Sequence, residues 1–208
     1  SAIMMALAPI VPDKVIAECG STPDLTAVFS GVDDQDVPFS FIAMASGGMG
    51  ASARGDGLAC TPFPQNISQP SIEVMEAIAP LLVWRREYRK DSGGHGKHRG
   101  GYGQVLLIEN RASRPINLSF IAERTKYPAQ GLNGGMSGKP IAISKVGVDK
   151  LIPTKAKIRL LPTEIIEMAH GGGGGYGNPK DRELHLIKED LKNDLIADGV
   201  AKEIYGLT

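Results

Sequence analysis

The stretch Asp91 to Gln104, DSGGHGKHRGGYGQ, gathers six glycines, His95, His98, Lys97 and Arg99 behind an acidic residue. Residues of these types could do three things. Successive glycines let backbone N–H groups converge on an anion that Lys97 and Arg99 would neutralise. His95 and His98, with Asp91 beside them and His170 farther along, could ligate a metal. Otherwise the glycines serve only a turn, in which Asp91 and Ser92 hydrogen-bond locally. Against the first reading, the pattern G-x-x-x-x-G-K-[ST] is missing and the segment leads into a strand, not a helix. Against the second, three-residue spacing fixes no geometry on a glycine loop and no Cys or Glu cluster accompanies the histidines, so no metal ligand is assigned in this chain. Ser92 lacks the G-x-S-x-G context of a hydrolase nucleophile.

The elements that must position this loop read as short strands. VIAECG, LTAVFSG and VPFSFIAMAS (Val37 to Ser46) precede it, the last with apolar residues on both faces, as a central strand would have. Ser71 caps a two-turn helix that Pro80 stops. LLVWRREYRK follows as a strand with a basic end, whose charges suit a solvated edge. QVLLIENR and PINLSFIAER, joined by ASR, suggest a hairpin. IAISKV, AKIRLLP and EIIEMA complete the strand set.

Between them lie four glycine-rich loops: GGMGASARGDG (Gly47 to Gly57), the Asp91 loop, YPAQGLNGGMSGKP and HGGGGGYGNP. They share composition only, and no fixed-period repeat relates them. Four such loops exceed what turns require, and close approach of backbone to a ligand or another subunit is the next physical reason for glycine. At the end, Leu184, Ile187, Leu191 and Leu195 form one apolar stripe on a helix from about Asp181, which caps it, to Ile196, with KEDLKND as its wet face. The expected architecture is α+β and strand-rich, a β-rich region over residues 1–180 with a helical tail, 181–208, packed on it.

The bulk numbers exclude some classes. Twenty-three basic and twenty-three acidic residues cancel, so the charge excess of a nucleic-acid binder is missing. Cys19 and Cys60 are too few for a disulfide framework and suit buried thiols in a reducing, cytoplasmic setting. The opening SAIMMALAP is far short of a membrane span and reads as the end of a core helix, an odd beginning that suggests a piece of something longer.

Taken in order, ALAPIVPDKVIAECG, GGMGASARGDG with PQNISQPSIEVMEAIAP, DSGGHGKHRGGYG, ERTKYPAQGLNGGMSG, GGGGGYGNP and DLIADGVAKEIYG resemble the C-terminal part of the hydantoinase B / 5-oxoprolinase family, nearly end to end. The resemblance implies a B-type subunit of an ATP-dependent enzyme. One branch hydrolyses lactams or cyclic imides, and another carboxylates ketones. In both, a partner A-type subunit binds ATP-Mg and is thought to phosphorylate the carbonyl oxygen, and the B side completes the attack. The family's divalent-metal segment, rich in His and Asp, belongs to an N-terminal half with no counterpart in these 208 residues. His170-Gly171 stands where many relatives have Thr-Pro.

The partners implied are therefore the A-type subunit, the remainder of the B-type subunit and a small-molecule substrate. Glycine loops with Arg99 and Arg124 could line a site between subunits. The substrate-binding or interface candidates are Gly48, Asp56, Asn66, Asp91, Ser92, Gly94, Arg99, Gly101 and Arg124. Glu123 also sits at a loop mouth, and no catalytic residue is assigned. A non-catalytic docking module remains the rival reading.

Overall fold

Ile116, Leu118 and Phe120 are buried on one face of their strand, while Asn117, Ser119 and Ile121 lie on the other. This period-two pattern recurs in a computed structural model that describes residues 2–20, 26–65, 69–153 and 155–207. Two antiparallel four-stranded sheets are formed. The first contains β1 (Thr26–Val32), β2 (Pro38–Met44), β5 (Ile116–Ile121) and β7 (Lys155–Leu160), in the order β2-β1-β5-β7. The second contains β3 (Leu81–Tyr88), β4 (Gln104–Asn110), β6 (Ala142–Lys145) and β8 (Ile165–Ala169), in the order β3-β4-β8-β6.

Phe29, Phe41 and Leu118 of one sheet share a single apolar cluster with Ile108, Ile143 and Ile166 of the other, so the sheets pack as a sandwich. Truncating a residue such as Leu118, which has no exposed surface, should cost about 2–5 kcal/mol. Among the described residues four short helices complete the α+β fold: α1 (Ala2–Leu7), α2 (Ile72–Ile78), α3 (Leu184–Lys192) and α4 (Asp198–Glu203). Ser71 caps α2, its Oγ accepting from the Val74 N–H at 3.3 Å.

Several local expectations are overturned. Val37 to Ser46 supplies an edge strand, β2, not a central one: Ile42 and Met44 face outward, 47% and 36% exposed. An apolar outer face looked like a covered one. QVLLIENR and PINLSFIAER are not a hairpin, because β4 and β5 belong to different sheets. The fully buried Asn110 holds that corner: its Nδ2 donates to the carbonyls of Arg114 (3.1 Å) and Leu160 (2.9 Å), and its Oδ1 accepts from the Ala112 N–H. Among the described residues VIAECG joins no sheet; it forms an isolated bridge, Ile16 to Ser52, and otherwise bonds loop backbone such as Ala51, Gln130 and Gly48. Helix α1 buries none of its residues and is not a core helix here. Helix α3 starts after Glu183, and Asp181 belongs to a separate 3-10 turn that Asn178 caps. The chain turns at Asp194, where φ is +55°, so Leu195 lies beyond the helix.

The tail packs through Ile187, Ile196, Ala201 and Tyr205 against Tyr102 of the Asp91 loop. Strand β3 does lie at a sheet edge. Its basic run is only partly solvated, however: Arg85 is exposed, but Arg86 and Arg89 are half-buried.

Candidate functional site

The four glycine-rich loops are one structure. After β8, residues 171–175 run through the middle of it, and successive glycines face different neighbours. A Cβ added at Gly172 would meet the backbone of Ser92 and Gly93, at Gly173 that of Met49 and Gly50, and at Gly174 that of Gln130 and Gly131. At Gly175 it would meet His95 and Gly94, returning to the segment that Gly172 faces. A return after three residues is the periodicity of an extended polyproline-II-like helix, which has no internal hydrogen bonds and must satisfy its amides outward.

Those amides bond neighbouring segments. The Gly173 N–H donates to the Gly101 carbonyl (3.0 Å), Gly174 to Glu18 (2.8 Å) and Gly175 to Met136 (2.9 Å). In return Gly94 donates to the Gly173 carbonyl (2.8 Å) and Ala51 to that of Gly174 (2.9 Å). The close approach expected of these glycines, to a ligand or another subunit, is found within the chain itself: glycine is required because backbone packs directly on backbone. Gly48 shows the tolerance, since a Cβ there would lie 1.7 Å from the Gly101 carbonyl oxygen.

One side of this bundle carries a charged network. Arg182 donates through Nη1 and Nη2 to the two carboxylate oxygens of Asp56, each at 2.8 Å, and Nη2 also reaches Asp190 Oδ2 at 2.8 Å. Arg99 Nε donates to Asp190 Oδ1 at 3.1 Å, and the Arg99 backbone N–H donates to Asp56 Oδ1 at 2.9 Å. The Arg99 guanidinium also stacks over the Tyr102 ring, 4.2 Å from its centroid. Burial pushes the Asp56 carboxyl upward, but the hydrogen bonds and charge of Arg182, aided by Arg99, outweigh it and hold the group below the ordinary carboxylate range. Burial disfavours the Arg182 charge too, and the two carboxylates more than restore it.

The other candidates are dispersed. Asp91, at φ +55°, accepts the Ala197 N–H at 2.8 Å and donates its own N–H to the Leu195 carbonyl, tying the loop to the tail. Ser92 is fully buried, its Oγ accepting from the Gly103 N–H at 3.0 Å. Gly94 and Gly101 lie within the bundle. Arg124 donates to Glu18 Oε2 at 2.8 Å, apart from the Arg99 network. There burial raises the Glu18 carboxyl, and Arg124 with the Gln130 N–H lowers it by more. Asn66 lies outside the described residues. Glu123 pairs with Lys155 at 3.1 Å.

His95 Nδ1 lies 3.1 Å from the Tyr205 hydroxyl, and burial, ahead of nearby charges, lowers the imidazole pKa. Among the described residues no group of three His, Cys, Asp or Glu side chains could hold a metal ion. The described residues do not fit the divalent metal that the resemblance implies, which it assigns to a segment outside these 208 residues.

Sequence reasoning missed Arg182 and Asp190. The expectation that Asp190 lies on the wet face of the helix that is α3 is overturned, since it is 4% exposed. A signal existed: it falls three residues after Ile187, on the apolar stripe, where a carboxylate needs a buried partner.

Residues 1–179 match the model of the Hydantoinase B/oxoprolinase family. The chain is 32% identical over 149 residues to 5-oxoprolinase 1 of Arabidopsis thaliana, covering 69% of this chain and 12% of that protein. In fold it is similar to the crystal structure of an ATP-dependent caprolactamase from Pseudomonas jessenii, with TM-score 0.83 and 23% identity over 98% of this chain and 37% of that one. It is also similar to a nucleotide-free acetone carboxylase, with TM-score 0.78 and 18% identity over 97% of this chain and 32% of that one. The chain spans well under half the length of the curated relatives it matches.

Proposed function

Since the chain belongs to the hydantoinase B/oxoprolinase family, we propose that it forms the glycine-bundle portion of the B-type subunit of an ATP-dependent cyclic-amide hydrolase. The observation that carries this reading is the family match over residues 1–179, which takes in all four glycine-rich loops. A lactam carbonyl is a poor electrophile because attack destroys amide resonance. Phosphorylating its oxygen on an A-type partner that binds ATP-Mg supplies a leaving group, and water can then add. The B side must shelter a hydrolysis-prone intermediate and hold donors in fixed positions.

In this reading the bundle is the rigid wall of that shelter. Gly48, Gly94 and Gly101 allow its close backbone packing, and Ser92 bonds its turn. Asp56, Arg99 and Asp91 act as positioning residues that clamp the tail against it, and Arg124 orients the Glu18 segment. Among the described residues no helix is long and apolar enough to cross a membrane. The free thiols Cys19 and Cys60 suit a reducing cytoplasm, the proposed location.

The test is an assay of the complete complex with ATP and either a cyclic amide or a ketone plus bicarbonate. Ring opening is expected. Carboxylation without ring opening would replace this reading with the ketone branch of the family, which the fold likeness to acetone carboxylase keeps in view. Turnover of neither substrate would favour a docking module.

A further inference from the structure

Among the described residues, strand β3 and the loop that follows it carry two cations without ion-pair partners. Arg85 pairs with Glu87 at 2.8 Å, but neither Arg86 nor Arg89 forms an ion pair among the described residues. The contacts of Arg86 are neutral: Nε donates to Gln104 Oε1 (3.3 Å), Nη1 to the Pro70 carbonyl (3.2 Å) and Nη2 to Gln69 Oε1. Those bonds use three of the guanidinium's five N–H groups and leave its charge uncompensated. Arg89 Nη1 donates to the carbonyls of Pro140 and His170, and Glu167 acts on it through its charge alone.

The surplus positive field registers on a third group. His170, 2% exposed, has an imidazole pKa lowered to about 3, by burial first and then by the charges of Arg89 and Arg86. Beside Arg86 opens a cavity of about 460 Å³, lined by Cys60, Gln69, Arg86, Glu87, Tyr88 and Gln104. That size is within the range of roughly 300–1,000 Å³ typical of small-molecule sites. The amide of Gln104 cannot serve as the counter-group: its Nε2 is committed to the Ser46 carbonyl at 3.0 Å and its Oε1 to Arg86. Glu87 is engaged by Arg85. A guanidinium with two unbonded N–H groups and no ion-pair partner among the described residues, at the wall of a small-molecule-sized cavity whose lining carboxylate, Glu87, is taken up by Arg85, is suited to an oxyanion.

We propose that this cavity binds the carboxylate or phosphate group of a small molecule, with Arg86 as its fixed cation. The chemistry is set by Arg86 and holds whichever reaction the intact complex performs. Cys60, on the cavity wall, is a built-in reporter. Burial pushes its thiol up to about 11, with the Arg86 charge working the other way, so an anion bound to Arg86 both covers the sulfur and disfavours its thiolate.

The experiment follows alkylation of Cys60 by neutral iodoacetamide in the intact complex, at about pH 9 and constant ionic strength set with sodium chloride, read by mass spectrometry. One arm adds inorganic phosphate and another adds acetate, which separates the two oxyanion sources. Saturable slowing is expected in at least one arm, reaching about tenfold at ten times the dissociation constant. Arg86→Gln should abolish the protection, and Arg86→Lys should keep a weaker form of it. Cys19, in a different cavity beside Glu18 and Phe63, should label at a rate indifferent to either anion in every variant and so reports that the fold is kept. Unchanged Cys60 labelling in the unsubstituted protein up to about 50 mM of both anions, or equal protection in Arg86→Gln, would overturn the proposal.

Discussion

The Arg182 guanidinium lies 2.8 Å from Asp190 Oδ2, and their side chains are 1% and 5% exposed. This buried pair, extended on one side to Asp56 and on the other to Arg99, locks the C-terminal helices onto the glycine bundle.

Removing one partner leaves the other buried and underpaired. Asp190→Ala should cost about 3 kcal/mol, because Arg182 and Arg99 both lose an acceptor while Asp56 alone remains to balance them. Hydrogen exchange of the tail amides is the measurement. Protection of residues 184–205 equal to that of the unsubstituted protein would show that the pair does not secure the tail.

The network also sets an acid limit. The unfolded chain binds a proton at Asp56 more readily than the folded one, because the folded carboxyl is held below the ordinary range. The stabilisation is therefore complete above about pH 4 and is lost as pH falls through the lower folded value. Tail protection measured from pH 5 down to pH 2 should fall in that window, and Asp56→Asn should flatten the fall while lowering protection at neutral pH.

Asp91 combines a left-handed backbone with a side chain that accepts the first N–H of the segment leading into α4. Asp91→Asn keeps both properties and should stay within about 0.5 kcal/mol of the parent. Asp91→Gly keeps only the backbone ease and Asp91→Ala keeps neither, so Ala should be the worst of the three, by about 1–2 kcal/mol. Chemical denaturation gives the order, and an Ala variant as stable as Asn would show that the Asp91–Ala197 bond does not hold the tail.

Two glycines should respond in opposite directions. Gly48→Ala drives a methyl into the Gly101 carbonyl, and backbone cannot move aside as a side chain can, so a loss of about 3 kcal/mol or failure to fold is expected. Gly199→Ala, in α4 with open space around its Cβ position, should gain up to about 1 kcal/mol. Comparing thermal midpoints of the two variants tests the bundle, and a neutral Gly48→Ala would contradict the backbone-on-backbone packing.

Much of the local structure could be read directly. Ile116, Leu118 and Phe120 announce a half-buried strand by alternation, and Ser71 with Pro80 brackets a short helix, because each signal depends on residues a few positions apart. The excess of glycine likewise indicated close backbone approach somewhere. The strand written in Val37 to Ser46 was visible, but its place at an edge was not, since Ile42 and Met44 look the same whether they face a neighbour or solvent.

What approaches the glycines is a different kind of information. Backbone packed on backbone has no side chain to mark its partner, so nothing in GGGGG specifies that Gly173 meets Gly101 or that Gly175 meets Met136. The same limit applies to charge: Asp56 and Arg182 stand 126 positions apart, and only folding decides that they pair while Arg86 forms no ion pair among the described residues. The sequence alone therefore determined most of the strands, the Ser71 cap, the family segments and the need for close packing, all encoded by local periodicity or residue type, while the strand pattern of VIAECG and the cap signal of Asp181 are not realised in the fold. The tertiary structure decided which sheet β4 and β5 join, which loops interlock and which charges remain unbalanced, because those depend on long-range contacts whose energy appears only when distant backbone segments are brought together.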